Sequence, residues 1–260
     1  MEEKRLMLEL ISNNFQSHAT RIPALSEDMQ VIESQHLIYV DSGLSCDTFN
    51  ILYINHPELS ESEMSKALDH YQTNELEYCI WISIENLSSQ VQKVFKAFWI
   101  EEQASEVGMG LDLTDYQPIF DERHKNIQLV TTKEQLETYA RVIAENWSPP
   151  DQNVIRYYDI TASHYLNDAN KIELLIYNHE GQPASCVELF PTDDETIGFY
   201  GFATLEKFRG QGIGTTLLTF ALNKAKESGY KNAILQGTED GLNIYKKMGF
   251  KDYTMYYEFA

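Results

Sequence analysis

Basic residues are scarce in this chain. Twenty Lys and Arg stand against forty Asp and Glu, a formal charge of −20. Counted by halves, residues 1–125 hold 8 basic and 22 acidic residues (−14), and residues 126–260 hold 12 and 18 (−6). Nucleic-acid binding needs Lys and Arg to neutralise phosphates, so this balance argues against that partner. The acidity serves solubility, and it can also steer a cationic amine towards the protein. Long apolar runs are missing too. No stretch of about 18 apolar residues occurs, so no membrane-spanning helix is expected. The opening MEEKRLMLELISNNF starts acidic and has no small-residue cleavage site, so it does not read as a signal peptide. Cysteines are few and odd in number. Cys46, Cys79 and Cys186 lie far apart with no CxxC or His partner pattern. That argues against a disulfide framework and a zinc site, fits a reducing cytoplasm, and leaves no metal expected. Glycine is thin in the first half, where only Gly43, Gly108 and Gly110 precede residue 125. That half therefore has no loop to cradle a phosphate.

What is present suggests two α/β domains, residues 1–125 and 126–260, joined through the polar stretch 115–126. In the second domain, strands are predicted at 127–130, 173–177, 184–190, 196–204, 232–236 and 253–259. Helices are predicted from a Thr131 or Thr132 cap to about Glu145, from Gln152 to about Leu166, from Gly212 to Gly229, and over 239–248. In the run IGTTLLTFALNKAKESG, Ile213, Leu217 and Ala221 recur at one-turn spacing, and Lys224 and Lys226 fall in the last turn before Gly229. In the first domain, strands are predicted at 37–40, 49–54 and 78–84 and helices at 60–71 and 89–98. Ser60 followed by Glu63 has the spacing of a capping box.

The strongest chemical signal is Arg209-Gly210-Gln211-Gly212-Ile213-Gly214, between a strand and a helix. Glycines let the backbone turn tightly and approach a ligand, and the free N–H groups of a helix start suit a pyrophosphate. No Lys-Ser/Thr pair follows, so this is not a Walker loop. Nor do its glycines have the spacing of a dinucleotide fingerprint. A second signal, Tyr245-Lys246-Lys247-Met248-Gly249-Phe250, lies on the helix after the next strand, where the tyrosine can face back towards the glycine loop. A buried aromatic with Gly249 as helix stop accounts for the same pattern.

Together the two signals resemble the GNAT superfamily of acetyltransferases. Its acetyl-CoA loop, (Arg/Gln)xxGx(Gly/Ala), is matched by Arg209, Gly212 and Gly214. Its YxxxGF is matched by Tyr245, Gly249 and Phe250. Longer stretches, IGFYGFATLEKFRGQGIG and AILQGTEDGLNIYKKMGF, look like a bacterial subgroup with two GNAT-like halves per chain. The first half of that subgroup often has a segment like Asp41-Ser42-Gly43-Leu44-Ser45-Cys46-Asp47-Thr48-Phe49-Asn50. The resemblance implies a mixed α/β (α+β) GNAT fold with a splayed, mostly antiparallel central sheet flanked by helices. A smaller, degenerate GNAT-like α/β domain would precede it, serving as scaffold, acceptor wall or homodimer surface. It further implies that Arg209, Gly210, Gln211, Gly212, Ile213, Gly214 and Thr215 receive the pyrophosphate of acetyl-CoA. Backbone groups of Phe202, Ala203 and Thr204 would run beside the pantetheine arm, Gly201 would form the strand bulge, and Tyr245 would donate a proton to the leaving thiolate. Many members have Asn seven residues before that tyrosine, where this chain has Thr238.

In this reaction class an amine attacks the thioester directly. A lysine-like amine is only about one part in a thousand neutral near pH 7.4, a handicap of roughly 4 kcal/mol, so a base or a desolvated pocket must help. Glu188, inside the apolar run Cys186–Phe190, is the candidate base if it faces inward. An outward-facing strand residue fits the same pattern. Glu195 falls in a solvated turn, and water-mediated deprotonation is a further route. Asn146, Trp147, Tyr157 and Tyr158 are candidates for the acceptor side, and Phe199 or Tyr200 for closing the acyl cavity. The function carried forward is N-acetylation of a small-molecule or amino-acid-like primary amine. Peptide or protein acetylation, and a CoA-binding sensor or protein-interaction module without turnover, are the alternatives.

Overall fold

A computed structural model of the chain describes residues 2–260. The elements in order are α1 (Glu2–Leu25), β1 (Gln30–Glu33), β2 (Leu37–Asp41), β3 (Ile51–Ile54), α2 (Glu61–Thr73), β4 (Cys79–Ser83), α3 (Ser89–Ala97) and β5 (Glu102–Asp112). There follow β6 (Ile127–Leu129), α4 (Lys133–Ala144), α5 (Gln152–Ile160), α6 (Ala162–Tyr165), β7 (Glu173–His179), β8 (Gln182–Pro191), β9 (Thr196–Thr204), α7 (Ile213–Glu227), β10 (Asn232–Gly237), α8 (Glu239–Lys247) and β11 (Lys251–Phe259). Among the described residues no helix is long and apolar enough to cross a membrane.

The chain forms two compact units that interleave in sequence. One comprises residues 2–15, 110–235 and 242–251, and the other residues 16–109, 236–241 and 252–260. Most of the predicted elements form, including the whole strand–helix series from β6 to β11. The additions are α1, β1 and β5, and the stretch 152–166 is two helices, α5 and α6, rather than one.

In the second unit the strands lie in the order β1-β2-β3-β4-β11-β5, with β3 and β4 parallel and β1–β2, β2–β3 and β4–β11 antiparallel. Its core gathers Leu52, Ile54, Leu59, Met64, Tyr71, Ile80, Ile82 and Val91, all fully buried. The α2 cap forms as its spacing predicts. Ser60 accepts from the Glu63 N–H and the Glu63 carboxylate reaches back to the Ser60 N–H. Such a box stabilises a helix by about 1 kcal/mol. Burial works against the Glu63 charge, but hydrogen bonds from His36, Ser60 and Ser34 outweigh it and hold the carboxyl at about 2.

In the first unit the order is β10-β9-β8-β7-β6, antiparallel except for the parallel β9–β10 pair. Helices α4 and α7 both pack on β7, β8 and β9. On α7, Ile213, Leu217, Leu218, Ala221, Leu222 and Ala225 are buried. Each large aliphatic among them is worth about 1.5–3 kcal/mol of burial. The stretch 115–126, expected as a linker, is strapped along α7, and so are Leu113 and Thr114 just before it. Asn223 bonds the Tyr116 hydroxyl and both backbone groups of Ile119, His124 meets the Thr219 hydroxyl at 3.1 Å, and Lys226 donates to the carbonyls of Leu113 and Thr114.

Candidate active site

The parallel pairing of β9 with β10 runs from Thr196↔Asn232 to Gly198↔Ile234, while β9 continues to Thr204. Past Gly198 the β10 side of β9 therefore makes no registered pair. On the β8 side, the register shifts between Cys186↔Ala203 and Glu188↔Tyr200, so Gly201 and Phe202 together oppose Val187. This is a β-bulge, which bends a strand and increases its twist. Gly201 sits at φ +53°, and a Cβ there would lie 2.7 Å from the Tyr139 Oη. The left-handed backbone and the close approach both require glycine. Gly201→Ala should therefore cost about 2–3 kcal/mol of stability. In a Tyr139→Phe background, with the oxygen removed, the backbone part of about 1–2 kcal/mol should remain, with a milder contact to the Ile143 methyl at 3.2 Å. Denaturant unfolding of the four variants checks this, and an equal cost in both backgrounds would refute the close-approach argument.

Beyond β9 a short 3-10 turn, Glu206–Phe208, leads into the glycine loop. Gly210 and Gly212 take φ of +74° and +75°. Gly212 is the N-cap of α7 and brings no side chain to its first N–H groups. The first turns of a helix leave such groups without intrahelical partners, and the helix dipole favours an anion there. Arg209, Gly210, Gln211 and Gly212 are exposed, Ile213 is buried as an anchor, and Gly214 and Thr215 are half-buried in the first turn. Space over the loop is open. A Cβ on Gly210 would meet nothing within 4 Å, and one on Gly212 would meet only the Arg123 guanidinium. These features fit a pyrophosphate.

Arg209 does not point freely at this space. Its Nε donates to the Thr204 carbonyl at 2.9 Å, tying the loop to the end of β9. Gly214 in turn packs against Phe202 and Thr204. Phe202, Ala203 and Thr204 are half-buried, and Thr204 pairs with Ser185 on the β8 side. Tyr245 on α8 is 7% exposed, with its ring 6.0 Å from those of Phe202 and Phe250. The structure thus brings the glycine loop, the end of β9 and Tyr245 together around Phe202.

Glu188 faces inward and is 2% exposed, which decides between the two orientations that the sequence left open. It lies in a cage of buried tyrosines from α4, α5 and α6. The Tyr139 and Tyr158 rings are 5.3 Å apart, and those of Tyr158 and Tyr165 are 5.0 Å apart. Burial pushes the hydroxyls of Tyr139, Tyr158 and Tyr165 well above the ordinary tyrosine range, and the Glu188 charge adds to the effect. They stay protonated. Tyr139 links this cage to the bulge, since its hydroxyl sits at Gly201. Of the aromatics considered for the acceptor side, Tyr157 and Tyr158 are buried in the cage, whereas Trp147 is 43% exposed.

Sequence reasoning missed five contributors. Tyr139 and Tyr165 read as ordinary core positions. Asn14 on α1 is fully buried, and its side chain accepts from the Tyr200 hydroxyl at 2.6 Å and donates to the Phe190 carbonyl at 3.1 Å. Asp121 and Arg123 border the glycine loop. Arg123 grips the Asp121 carboxylate through Nε and Nη2, and Asp121 also accepts from the Thr216 hydroxyl on α7. These bonds, Arg123 first, hold the Asp121 carboxyl far below the usual carboxylate range. No local pattern in the sequence announces either contact.

Residues 133–250 match the Acetyltransferase (GNAT) family. Probable N-acetyltransferase 14 of Xenopus tropicalis is 27% identical over 110 residues, 40% of this chain and 50% of that protein. The chain thus spans about half the length of this curated relative. Among solved structures, a GCN5-related N-acetyltransferase from Kribbella flavida superposes with a TM-score of 0.65 at 15% identity, over 95% of this chain and 94% of that one. A tandem GNAT protein from the clavulanic acid biosynthesis pathway superposes with a TM-score of 0.56 at 11% identity, over 90% of this chain and 83% of the other. At these identities the structural likeness speaks for the fold, and the expected mixed α/β GNAT architecture is the one observed.

Proposed function

With a GNAT acetyltransferase domain over residues 133–250 as the premise, we propose that the protein transfers an acetyl group from acetyl-CoA to the primary amine of a small-molecule or amino-acid-like acceptor. One observation carries this reading. The exposed glycine loop at the uncapped start of α7 adjoins the bulged end of β9, where pairing with β10 has stopped. Acetyl-CoA supplies an acyl carbonyl already activated by a thiolate leaving group.

The residues of the chain do the rest. The first N–H groups of α7, with Gly210–Thr215 around them, hold the phosphates and fix the position of the acyl end. The half-buried backbone of Phe202–Thr204 runs beside the pantetheine arm in the manner of strand addition. N–H groups near the bulge stabilise negative charge on the acyl oxygen. Tyr245, shielded by Phe202 and Phe250, gives its hydroxyl proton to the leaving sulfur. Glu188, within the tyrosine cage, takes the proton from the attacking amine, directly or through Tyr139 at the bulge. The net charge of −20 draws a cationic amine towards the protein.

Calorimetric titration with acetyl-CoA, followed by a thiol-release assay over a panel of small amines, tests the proposal. Saturable binding with amine-dependent thiol release is expected. No binding would sink it. Binding with no turnover on any amine would favour a CoA-binding module over an enzyme.

A further inference from the structure

We propose that His36, His56 and Glu58 form a binding site for a divalent transition-metal ion of the zinc class, at the edge of β2 and β3 in the second unit. The site follows from strand register. In the antiparallel β2–β3 pair Leu37 faces Ile54, and the Asn55 N–H donates to the His36 carbonyl at 3.2 Å. His36 thus stands opposite Asn55, and the bend at His56, where the chain leaves β3, brings the two imidazoles side by side. Their ring centroids are 4.9 Å apart. Glu58 follows two residues later on the connection to α2. One ring nitrogen of each histidine and one Glu58 carboxylate oxygen lie within 4.8 Å of one another.

The feature that distinguishes this cluster from a chance surface grouping is what holds His36. Its Nδ1 meets the Glu63 carboxylate at 2.9 Å, and its ring is only 12% exposed. Glu63 is fixed in turn by the Ser34 hydroxyl at 3.0 Å, the His36 N–H at 3.2 Å, and the Ser60 N–H and hydroxyl at 3.2 and 2.7 Å. Both of its oxygens are thus engaged, which makes it a support rather than a ligand. A carboxylate on Nδ1 orients the ring, raises its basicity and leaves Nε2 for a metal, the usual arrangement behind a metal-bound histidine. His56 and Glu58 are exposed and free to adjust. His56 Nδ1 accepts from the Glu58 N–H at 3.2 Å, a long contact that a metal bond readily replaces.

Ligand chemistry selects the ion. Two imidazoles with one carboxylate suit zinc, nickel, cobalt or copper, whereas calcium and magnesium prefer all-oxygen sites. Tetrahedral zinc, with ligand atoms at about 2.0–2.1 Å, needs those atoms roughly 3.3 Å apart. The two exposed side chains reach that spacing by closing in by about 1.5 Å, and water completes the shell. The buried Cys46, Cys79 and Cys186 offer no competing surface thiolates. Bound metal would pin the β3–α2 connection to the start of β2, a role separate from acyl transfer.

The test uses the untagged full chain, stripped of metal with chelator and titrated with zinc by calorimetry and with cobalt by visible absorption. One ion per chain is expected, with a dissociation constant on the order of 10 µM or tighter and d–d bands of a tetrahedral or five-coordinate cobalt site. His56→Ala and Glu58→Ala should each weaken binding at least about tenfold without lowering the metal-free melting temperature, since both side chains are exposed. Glu63→Gln should weaken it by about 10–100-fold as the support of His36 is lost, and His179→Ala should leave it unchanged. No saturable binding, or binding that His56→Ala leaves intact, would overturn the site. Acetyl-CoA affinity is measured in the same samples, so a failure here is distinct from a failure of the acyl-transfer reading.

Discussion

Replacing Gly212 by glutamate is expected to weaken acetyl-CoA binding by about 100-fold or more, close to 2.7 kcal/mol, while the chain still folds. The folding half of this expectation rests on where Gly212 stands. Its φ of +75° costs an ordinary side chain about 1–2 kcal/mol. The position is exposed, however, and a carboxylate at a helix N-terminus returns about 0.3–1 kcal/mol through the helix dipole. Only Arg123 stands close enough to be displaced by a new Cβ. The binding half rests on charge and space. The new carboxylate would occupy the anion position that the phosphates need and repel them as well. A graded series separates these causes. Gly212→Asn tolerates the left-handed backbone and adds no charge, so it should bind nearly as well as wild type. Gly212→Ala adds strain alone and should lose several-fold, and Gly212→Glu should lose most. Calorimetry at two salt concentrations reads the series. If all three variants bind like wild type, the phosphates are held elsewhere.

That loop was legible in the sequence because its chemistry is local. Arg209–Gly214 followed by Ile213, Leu217 and Ala221 at helical spacing fixes both the turn and the face that α7 buries. The Ser60–Glu63 capping pair was legible for the same reason, spanning four residues, and of the two threonines offered as the α4 cap the structure uses Thr132. What the sequence concealed depends on distant partners. Strand β5 carries Gly108 and Gly110, which propensity disfavours in strands. Gly108 is accommodated because Thr254 crowds its face, and Gly110 because Met7 does. Asn14 and Tyr200 are 186 residues apart, and no periodicity links them. Glu188 shows the limit most clearly. Alternation along β8 places it on one face or the other, but only the tyrosines of α4, α5 and α6 make that face an interior. The His36–His56 pair is hidden for a related reason, since the pairing of β2 with β3 and the bend at His56, not sequence spacing, bring the rings together.

Glu188→Gln is expected to lower kcat/KM by about 10²–10⁴-fold, and Tyr245→Phe to lower kcat by about 10²-fold, with acetyl-CoA affinity close to wild type in both. The two effects differ in kind. A base works only when deprotonated, so wild-type kcat/KM should show an acid limb, falling as pH drops. Glutamine keeps the shape of the buried side chain but cannot take a proton. That acid limb should therefore flatten in Glu188→Gln, over the same amine acceptor. A purely structural Glu188 predicts the opposite pattern, with a lower melting temperature and an unchanged pH profile. For Tyr245, phenylalanine preserves the packing against Phe202 and Phe250 and removes only the hydroxyl. Its loss should appear in kcat with KM for acetyl-CoA unchanged, since the proton is needed only as the sulfur leaves. An acceptor with a more acidic amine should lessen the Glu188 defect, because less of its proton remains to be removed, and leave the Tyr245 defect as it was. If both variants retain full turnover, neither group moves a proton, and water would have to carry both transfers.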